Sequence, residues 1–288
     1  MRRLRFRYKM QMTFERFVTE HHFTLRCFPT DDARQKIIEE KSEIFPNQFL
    51  SEERDSFGNK CVYGKAEIPH NYFSVEVNGI AEVGGENPIQ SSDGKESLFK
   101  YATKLTACGR RLSDFYDAIT RINDKAAVSL SGVTLRHGSV TARRSFFDFP
   151  HFEKAEFFMD SISRVFCYEA GVTGVFTTAE EAFALTKGVC QDYAHILLAL
   201  CRKAKIPCRY VAGMMIGEGA SHAWVEVFEN GAWLSLDPTH NRRTDDTYIV
   251  ISRGRDAQDC SINQGVFRWS ENGGAQRQEV LVEAREMG

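Results

Sequence analysis

The stretch of residues 188–195, which reads GVCQDYAH, breaks the chain at a glycine and runs directly into the apolar segment ILLALC of residues 196–201. This order predicts a buried helix over residues 190–204, with Cys190 at its N-terminus. Unpaired backbone N–H groups and the helix dipole at that end favour the thiolate form of a cysteine. Because the thiolate is the reactive form of the side chain, Cys190 is a candidate catalytic nucleophile.

Composition places the chain among ordinary globular proteins and sets limits on its partners. It has 288 residues, of which 42% are hydrophobic and 26% charged, with a formal net charge of −2. This balance argues against a broad basic surface for nucleic acid or an anionic membrane. The basic first nine residues are not followed by an apolar segment, so we expect no signal peptide, no membrane and a cytoplasmic location.

The eight cysteines have irregular spacings and form no CxxC pair. That pattern argues against a structural zinc site, and we expect neither a metal nor a cofactor. In a reducing compartment most of these cysteines are small buried hydrophobes, and this is the expectation for Cys201 and Cys208. The same ordinary role is the alternative for Cys190.

Alternating apolar residues dominate the N-terminal part of the chain. Residues 4–14 and 23–27 alternate with a period of two, which predicts strands. Residues 33–45 are ambiguous, because their Glu, Lys and Ala content favours a helix while strong turn signals follow. Asn78-Gly79 is typical of a hairpin turn. The pattern predicts an antiparallel β-sandwich.

A Gly-, Ser- and Pro-containing stretch at residues 84–94 is the candidate linker. We therefore divide the chain into residues 1–97, the β-domain with its linker, and residues 98–288, a second domain. Helical patterns come first in the second domain, and an antiparallel meander and a last hairpin follow, so the expected class is α+β. The strands are predicted at residues 208–215, 222–228, 232–237, 248–252, 265–269 and 279–284.

His222 opens one of these strands and Asp237 closes the next. A hairpin folded at residue 230 sets residue 222 opposite about residue 238, so the imidazole and the carboxylate are expected to be neighbours. A thiol nucleophile needs a base that moves its proton and a third group that orients the base. His222 and Asp237 are the candidates for these two roles.

Four ordered motifs resemble the transglutaminase-like superfamily, most closely its bacterial branch of cysteine proteases. They are GVCQD at 188–192, IPCRYVAG at 206–213, HAWVE at 222–226 and DPT at 237–239. GRD at 254–256, LR at 25–26, Asp55 and FGN at 57–59 extend the resemblance to that branch and its N-terminal domain. The resemblance implies a papain-like, transglutaminase-core domain after the β-domain.

The resemblance also implies the triad Cys190, His222 and Asp237. Cys190 would attack an amide carbonyl, His222 would shuttle the proton, and Asp237 would fix the imidazole tautomer. The backbone N–H of Cys190 is a natural oxyanion donor at a helix start, and no second donor is identified. Asp192, with His195, is expected to form a structural polar network, with support of the catalytic site as the alternative, and Trp224 is expected to form cleft wall or core.

Several functions fit these residues. The leading hypothesis is a thiol-dependent amide hydrolase, a peptidase or isopeptidase acting on a peptide or protein amide. Transfer of the acyl group to an amine, as in a transglutaminase, is the first alternative. The others are a scaffold with a vestigial site, whose N-terminal domain binds a protein partner, and a metal site built from the same three side chains.

Overall fold

The computed structural model describes residues 1–85, 89–90, 94–125, 146–217, 219–271 and 273–287. The predicted linker and the segment of residues 123–151, to which the sequence assigns no role, lie partly outside the described residues. Within those ranges, no helix combines the length and the apolar character that crossing a membrane requires.

The predicted α+β class is confirmed by two antiparallel sheets and a set of helices. The first sheet contains β1 (Arg2–Leu25), β2 (Gln35–Phe45), β3 (Phe49–Arg54), β4 (Lys60–Ala66) and β5 (His70–Val83). Next come β6 (Ile89–Gln90), α1 (Arg110–Lys125), α2 (His151–Ser163), β7 (Cys167–Tyr168), α3 (Ala179–Leu185), β8 (Lys187–Gly188) and α4 (Cys190–Lys203). The chain ends with β9 (Cys208–Met215), β10 (His222–Glu229), β11 (Ala232–Asp237), β12 (Arg242–Arg243), β13 (Tyr248–Gly254), β14 (Asn263–Trp269) and β15 (Gln276–Glu286).

The first sheet is organised around β1, in the order β2-β5-β1-β4-β3. The two predicted N-terminal strands are one strand, which shifts register between Thr13 and Val18 against β5 and between Thr19 and His22 against β14. Its alternating apolar residues are buried, as the period of two predicts. The ambiguous segment after it is the strand β2, because pairing with β5 outweighs local helix propensity.

The predicted hairpin turn at Asn78-Gly79 is wrong, since β5 runs straight through both residues. Gly79 lies opposite Phe6 on β1 and Glu40 on β2. A Cβ atom at residue 79 would lie 2.5 Å from Cζ of Phe6 and 2.1 Å from the carbonyl oxygen of Glu39. The glycine therefore makes room for neighbouring atoms instead of forming a turn.

The second sheet has the order β12-β11-β10-β9-β13, with β6 paired to β11. Strands β9 to β11 form the predicted meander, but β13 returns to the far side of β9, which the meander prediction did not include. The predicted buried helix is α4, and its apolar residues pack on Ala223, Val225 and Val227 of β10. Helix α4 therefore carries residue 190 to the sheet that carries residues 222 and 237.

The last hairpin is present, but it belongs to the first sheet. Strands β14 and β15 both pair with β1. Met214, Ile249 and Ile251 of the second sheet pack in the core of the first. The division at residue 97 stays a prediction, and it did not anticipate that the chain returns to β1 at its end.

Two side-chain amides from the first part of the chain bind the edge strand β13. Gln35 donates from Nε2 to the carbonyl of Val250 at 2.8 Å and accepts its N–H at 2.7 Å. Asn59 makes the same pair of bonds with the backbone of Arg253, both at 2.7 Å. These buried amides satisfy backbone groups that the end strand of a sheet would otherwise leave unpaired.

A chain of buried charges reinforces this junction. Asp32, in the segment between β1 and β2, accepts a bond from Arg253 at 2.6 Å. Arg253 also pairs with Glu226 at 3.0 Å, and Glu226 pairs with Arg209 at 2.5 Å. Burial would raise the pKa of Glu226, but the two guanidinium groups lower it to about 2. The carboxylate is therefore charged and fully compensated.

Replacing Gln35 by leucine tests the edge bonds. Gln35→Leu keeps a similar volume but leaves the N–H and C=O of Val250 without their partners, so we expect the free energy of unfolding to fall by about 2 kcal/mol or more. Urea titration followed by circular dichroism measures the change. Gln276→Leu, at the exposed start of β15, is the control and should stay within about 0.5 kcal/mol of wild type. Equal losses in the two variants would contradict a stabilising role for the edge bonds.

Candidate active site

Local hydrogen bonds build the start of α4 around Cys190. Asp192 accepts the N–H of Val189 at 2.7 Å and the hydroxyl of Thr173 at 2.6 Å, both on Oδ2. A Cβ atom at Gly188 would lie 2.4 Å from that oxygen, which explains the glycine. Asp192 thus closes the first turn, and the partly exposed Cys190 is the first residue of the helix.

His222 and Asp237 are in direct contact, as the hairpin predicted. His222 Nε2 donates to Asp237 Oδ2 at 2.8 Å. The observed register pairs Val225 with Leu236 and, continued, sets Asp237 opposite Trp224, one residue away from the predicted register. This difference matters, because opposite residues share a face and a slip of one residue reverses it. Only the observed register puts His222 and Asp237 on the same face.

The Cys190 side chain lies close enough to His222 to influence its charge, so the three predicted residues are brought together. Since Nε2 of His222 is bonded to Asp237, Nδ1 is the nitrogen left for the thiol. Burial would lower the pKa of His222, but its hydrogen bond to Asp237 and its interactions with the nearby Asp237 and Cys190 side chains raise it to about 10. The imidazole of His222 is therefore protonated at neutral pH.

Asp237 binds two side chains that the sequence reasoning missed. Oδ2 also accepts His240 Nδ1–H at 2.8 Å and the Tyr248 hydroxyl at 2.7 Å, while Oδ1 accepts the N–H groups of Thr239 and His240. Burial would raise the pKa of Asp237, but the bonds from His222, Tyr248 and His240 hold it well below its usual range. His240 follows Asp237 closely enough for the DPTH turn to have suggested it. No sequence pattern near Tyr248 indicated its contact with Asp237.

The predicted supporting residues have separate roles. Trp224 is buried behind His222 and meets the Tyr248 ring edge-on at 5.4 Å between centroids, so it packs in the core. Asp192 and His195 do not form the expected shared network among the described hydrogen bonds. Asp192 binds Thr173 and Val189, whereas His195 Nε2 accepts the N–H of Ala257 at 3.2 Å. Burial lowers the pKa of His195 to about 4, so its ring is neutral.

Two further chemical features belong to this region. The N–H groups of Cys190 and Gln191 lie in the first turn of α4, where helix geometry provides no backbone acceptor, so they are available to an oxyanion. His222, Asp237 and His240 place three possible metal donors within 4.8 Å of one another. Both histidines already hydrogen-bond Asp237, and a metal would displace the bonds that orient His222.

The raised pKa of His222 predicts a dependence of stability on pH. Between about pH 6.5, the ordinary imidazole value, and about pH 10, the folded state binds a proton that the unfolded state lacks. Stability from this group is therefore complete below that window and is lost as the pH rises through it. We expect the stability advantage of wild type over His222→Gln to shrink by up to about 1.4 kcal/mol per pH unit. Urea unfolding at a series of pH values measures it, and a constant difference would contradict the raised pKa.

Tyr248→Phe should weaken the support of Asp237. The ring and its packing remain, but a bond to a buried carboxylate is lost, so the free energy of unfolding should fall by about 1.5 to 3 kcal/mol. Thermal and urea unfolding provide the measurement. The exposed Tyr101 supplies a matched control, since Tyr101→Phe removes the same hydroxyl from the surface. If the two variants were equally stable, the bond to Asp237 would contribute nothing.

Two family models match separate parts of the chain. Residues 148–238, which include all three candidate catalytic residues, match the family model of the transglutaminase-like superfamily. Residues 4–82 match the bacterial transglutaminase-like N-terminal region.

Other proteins are similar to this one over nearly its whole length. An uncharacterized protein of Mycobacterium tuberculosis is 26% identical over 298 residues, covering 94% of this chain and 89% of the relative. One of Mycobacterium leprae is 26% identical over 274 residues, covering 90% and 89%. A candidate cysteine protease from Cytophaga hutchinsonii has a similar fold, with a TM-score of 0.73 at 19% identity, covering 100% of this chain and 92% of that one. Residues 148–238 therefore belong to the core of the transglutaminase-like superfamily, and residues 4–82 to the bacterial transglutaminase-like N-terminal region.

Proposed function

We propose that this protein is a thiol-dependent amide hydrolase, a peptidase or isopeptidase, with Cys190 as its nucleophile. The observation that carries the proposal is that Cys190, at the start of α4, lies near His222, whose Nε2 is hydrogen-bonded to Asp237 at 2.8 Å. It joins a nucleophile, a proton carrier and an orienting carboxylate in the order that acyl transfer requires. The superfamily includes both cysteine proteases and transglutaminases, which supports chemistry on amides.

The proposed reaction begins with the Cys190 thiolate and the His222 imidazolium. The sulfur attacks the amide carbonyl, and the oxygen of the tetrahedral intermediate accepts the N–H of Cys190. His222 gives its proton to the leaving nitrogen, so the C–N bond breaks and a thioester to Cys190 remains. His222 then takes a proton from water, the hydroxide attacks the thioester, and the carboxylic acid leaves as the ion pair is restored.

Asp237 acts through His222 in this scheme. Its carboxylate remains ionised, keeps the imidazole oriented through Nε2 and stabilises the imidazolium. Tyr248 and His240 are positioning residues, because they hold the same carboxylate oxygen from two other segments.

Water is the proposed acceptor of the acyl group. Cys190 is partly exposed, so solvent reaches the thioester without any bound amine. An amine that occupied the same position would give the transglutaminase reaction from the same thioester. The proposed substrates are peptide or protein amides.

Selective alkylation tests the nucleophile without a known substrate. At about pH 6, where an ordinary thiol is almost entirely protonated, we expect iodoacetamide to modify Cys190 at least about tenfold faster than Cys167. Cys167 is an exposed free thiol and serves as the reference within the same molecule. Peptide mass spectrometry at timed intervals gives both rates.

His222→Gln is the matched variant for this experiment. It removes the imidazolium, so the excess reactivity of Cys190 should disappear while Cys167 reacts as before. Equal rates for Cys190 and Cys167 in the wild-type protein would refute the proposed nucleophile. Hydrolysis of a labelled casein that survives Cys190→Ala would refute it independently.

A further inference from the structure

Two large apolar side chains stand next to each other in solvent at the tip of a turn before α3. Val175 is 66% exposed and Phe176 is 73% exposed. They are the central residues of the turn formed by residues 174–177, which we call the 174–177 turn. Single exposed apolar residues are common on protein surfaces, but two adjacent large ones form an exposed apolar patch, and such patches mark binding sites for other molecules.

The shape of the 174–177 turn does not depend on these side chains. The N–H of Thr177 donates to the carbonyl of Gly174 at 3.0 Å, and the N–H of Gly174 donates to the Thr177 hydroxyl at 2.9 Å. Both bonds are made by the first and last residues of the turn. Polar residues at positions 175 and 176 would leave these bonds intact, so the apolar pair serves no evident folding purpose.

Side chains from the first turn of α4 attach the 174–177 turn to the nucleophile. Gln191, the residue after Cys190, donates from Nε2 towards the carbonyls of Val175 at 3.4 Å and Gly174 at 3.5 Å. Thr173, just before the turn, donates to Asp192 at 2.6 Å. The two residues that follow Cys190 thus bind the segment that carries the apolar tip and fix it to the first turn of α4.

We propose that Val175 and Phe176 form a binding site for an apolar, preferably aromatic, side chain of the amide substrate. This inference rests on the proposed function and names the substrate class of the same site. The occupant is the substrate itself, because the tip is fixed to the turn that begins with the nucleophile. Covering the pair would remove apolar surface from water on both molecules.

Alkylating reagents that differ in charge test this selectivity at Cys190. N-benzyliodoacetamide carries an apolar ring on a flexible link, and N-(4-carboxybenzyl)iodoacetamide carries a ring of similar size with a charge. We expect Cys190 to react about tenfold faster with the apolar reagent, which corresponds to burying roughly 55 Å² at about 25 cal/mol per Å². The ratio of the rates with the apolar and the charged reagent is also measured at Cys167, which serves as the reference thiol. Mass spectrometry gives the rates at both cysteines.

Phe176→Ser should bring the ratio at Cys190 down to that of Cys167, and Val175→Ser should lower it in part. Reaction of Cys190 with plain iodoacetamide should stay unchanged in both variants. Phe49→Ser is the control, because Phe49 is 61% exposed on β3 and should have no influence. Circular dichroism verifies that each variant is folded.

The outcomes separate the two proposals. If Cys190 reacts rapidly with iodoacetamide but shows no preference for the apolar ring, the binding site is refuted and the proposed function stands. A preference that persists in Phe176→Ser also refutes the site. If Cys190 is no more reactive than Cys167 towards iodoacetamide, the proposed function fails and this inference fails with it.

Discussion

The carboxylate of Asp237 is completely buried and accepts hydrogen bonds from three side chains in different parts of the second sheet. A buried carboxylate is costly unless it is fully bonded, so the three donors must all be in position before the charge is tolerated. His222 comes from the start of β10, His240 from the segment after β11, and Tyr248 from the start of β13. The candidate active site therefore requires that these segments be assembled correctly around one oxygen atom.

This requirement extends to the N-terminal part of the chain. Tyr248 opens β13, which is the end strand of its sheet. Gln35 and Asn59 bind the backbone of β13, and Asp32 binds its arginine, Arg253. The strand that supports Asp237 is thus held by residues that precede the superfamily core in sequence. A stabilising role for the N-terminal β-domain follows from these contacts alone, and it does not require a partner protein.

The start of α4 around Cys190 is built by more local interactions. Gly188 leaves room for the Asp192 carboxylate, which caps α4 and also binds Thr173. Gln191 reaches the carbonyls of Gly174 and Val175, the two residues that follow Thr173. The residues directly after Cys190 therefore hold the segment that precedes α3, whereas His222 and Asp237 come from the sheet. Helix and sheet meet where Cys190 comes near His222.

Short-range patterns in the sequence were enough to predict α4, the strand periodicity and the three residues of the candidate triad. These features depend on neighbours within a few positions: a glycine before a helix, alternation along a strand, and a hairpin that brings its two ends together. Tertiary structure alone decided the register that puts Asp237 on the face of His222, the arrival of Tyr248, and the pairing of β14 and β15 with β1. Each of these depends on which distant strand edge is free to pair and on how tightly the side chains pack, as the space required at Gly79 illustrates. Local periodicity contains no information about either, because one face of a strand can pair with many partners and only the packed molecule selects one.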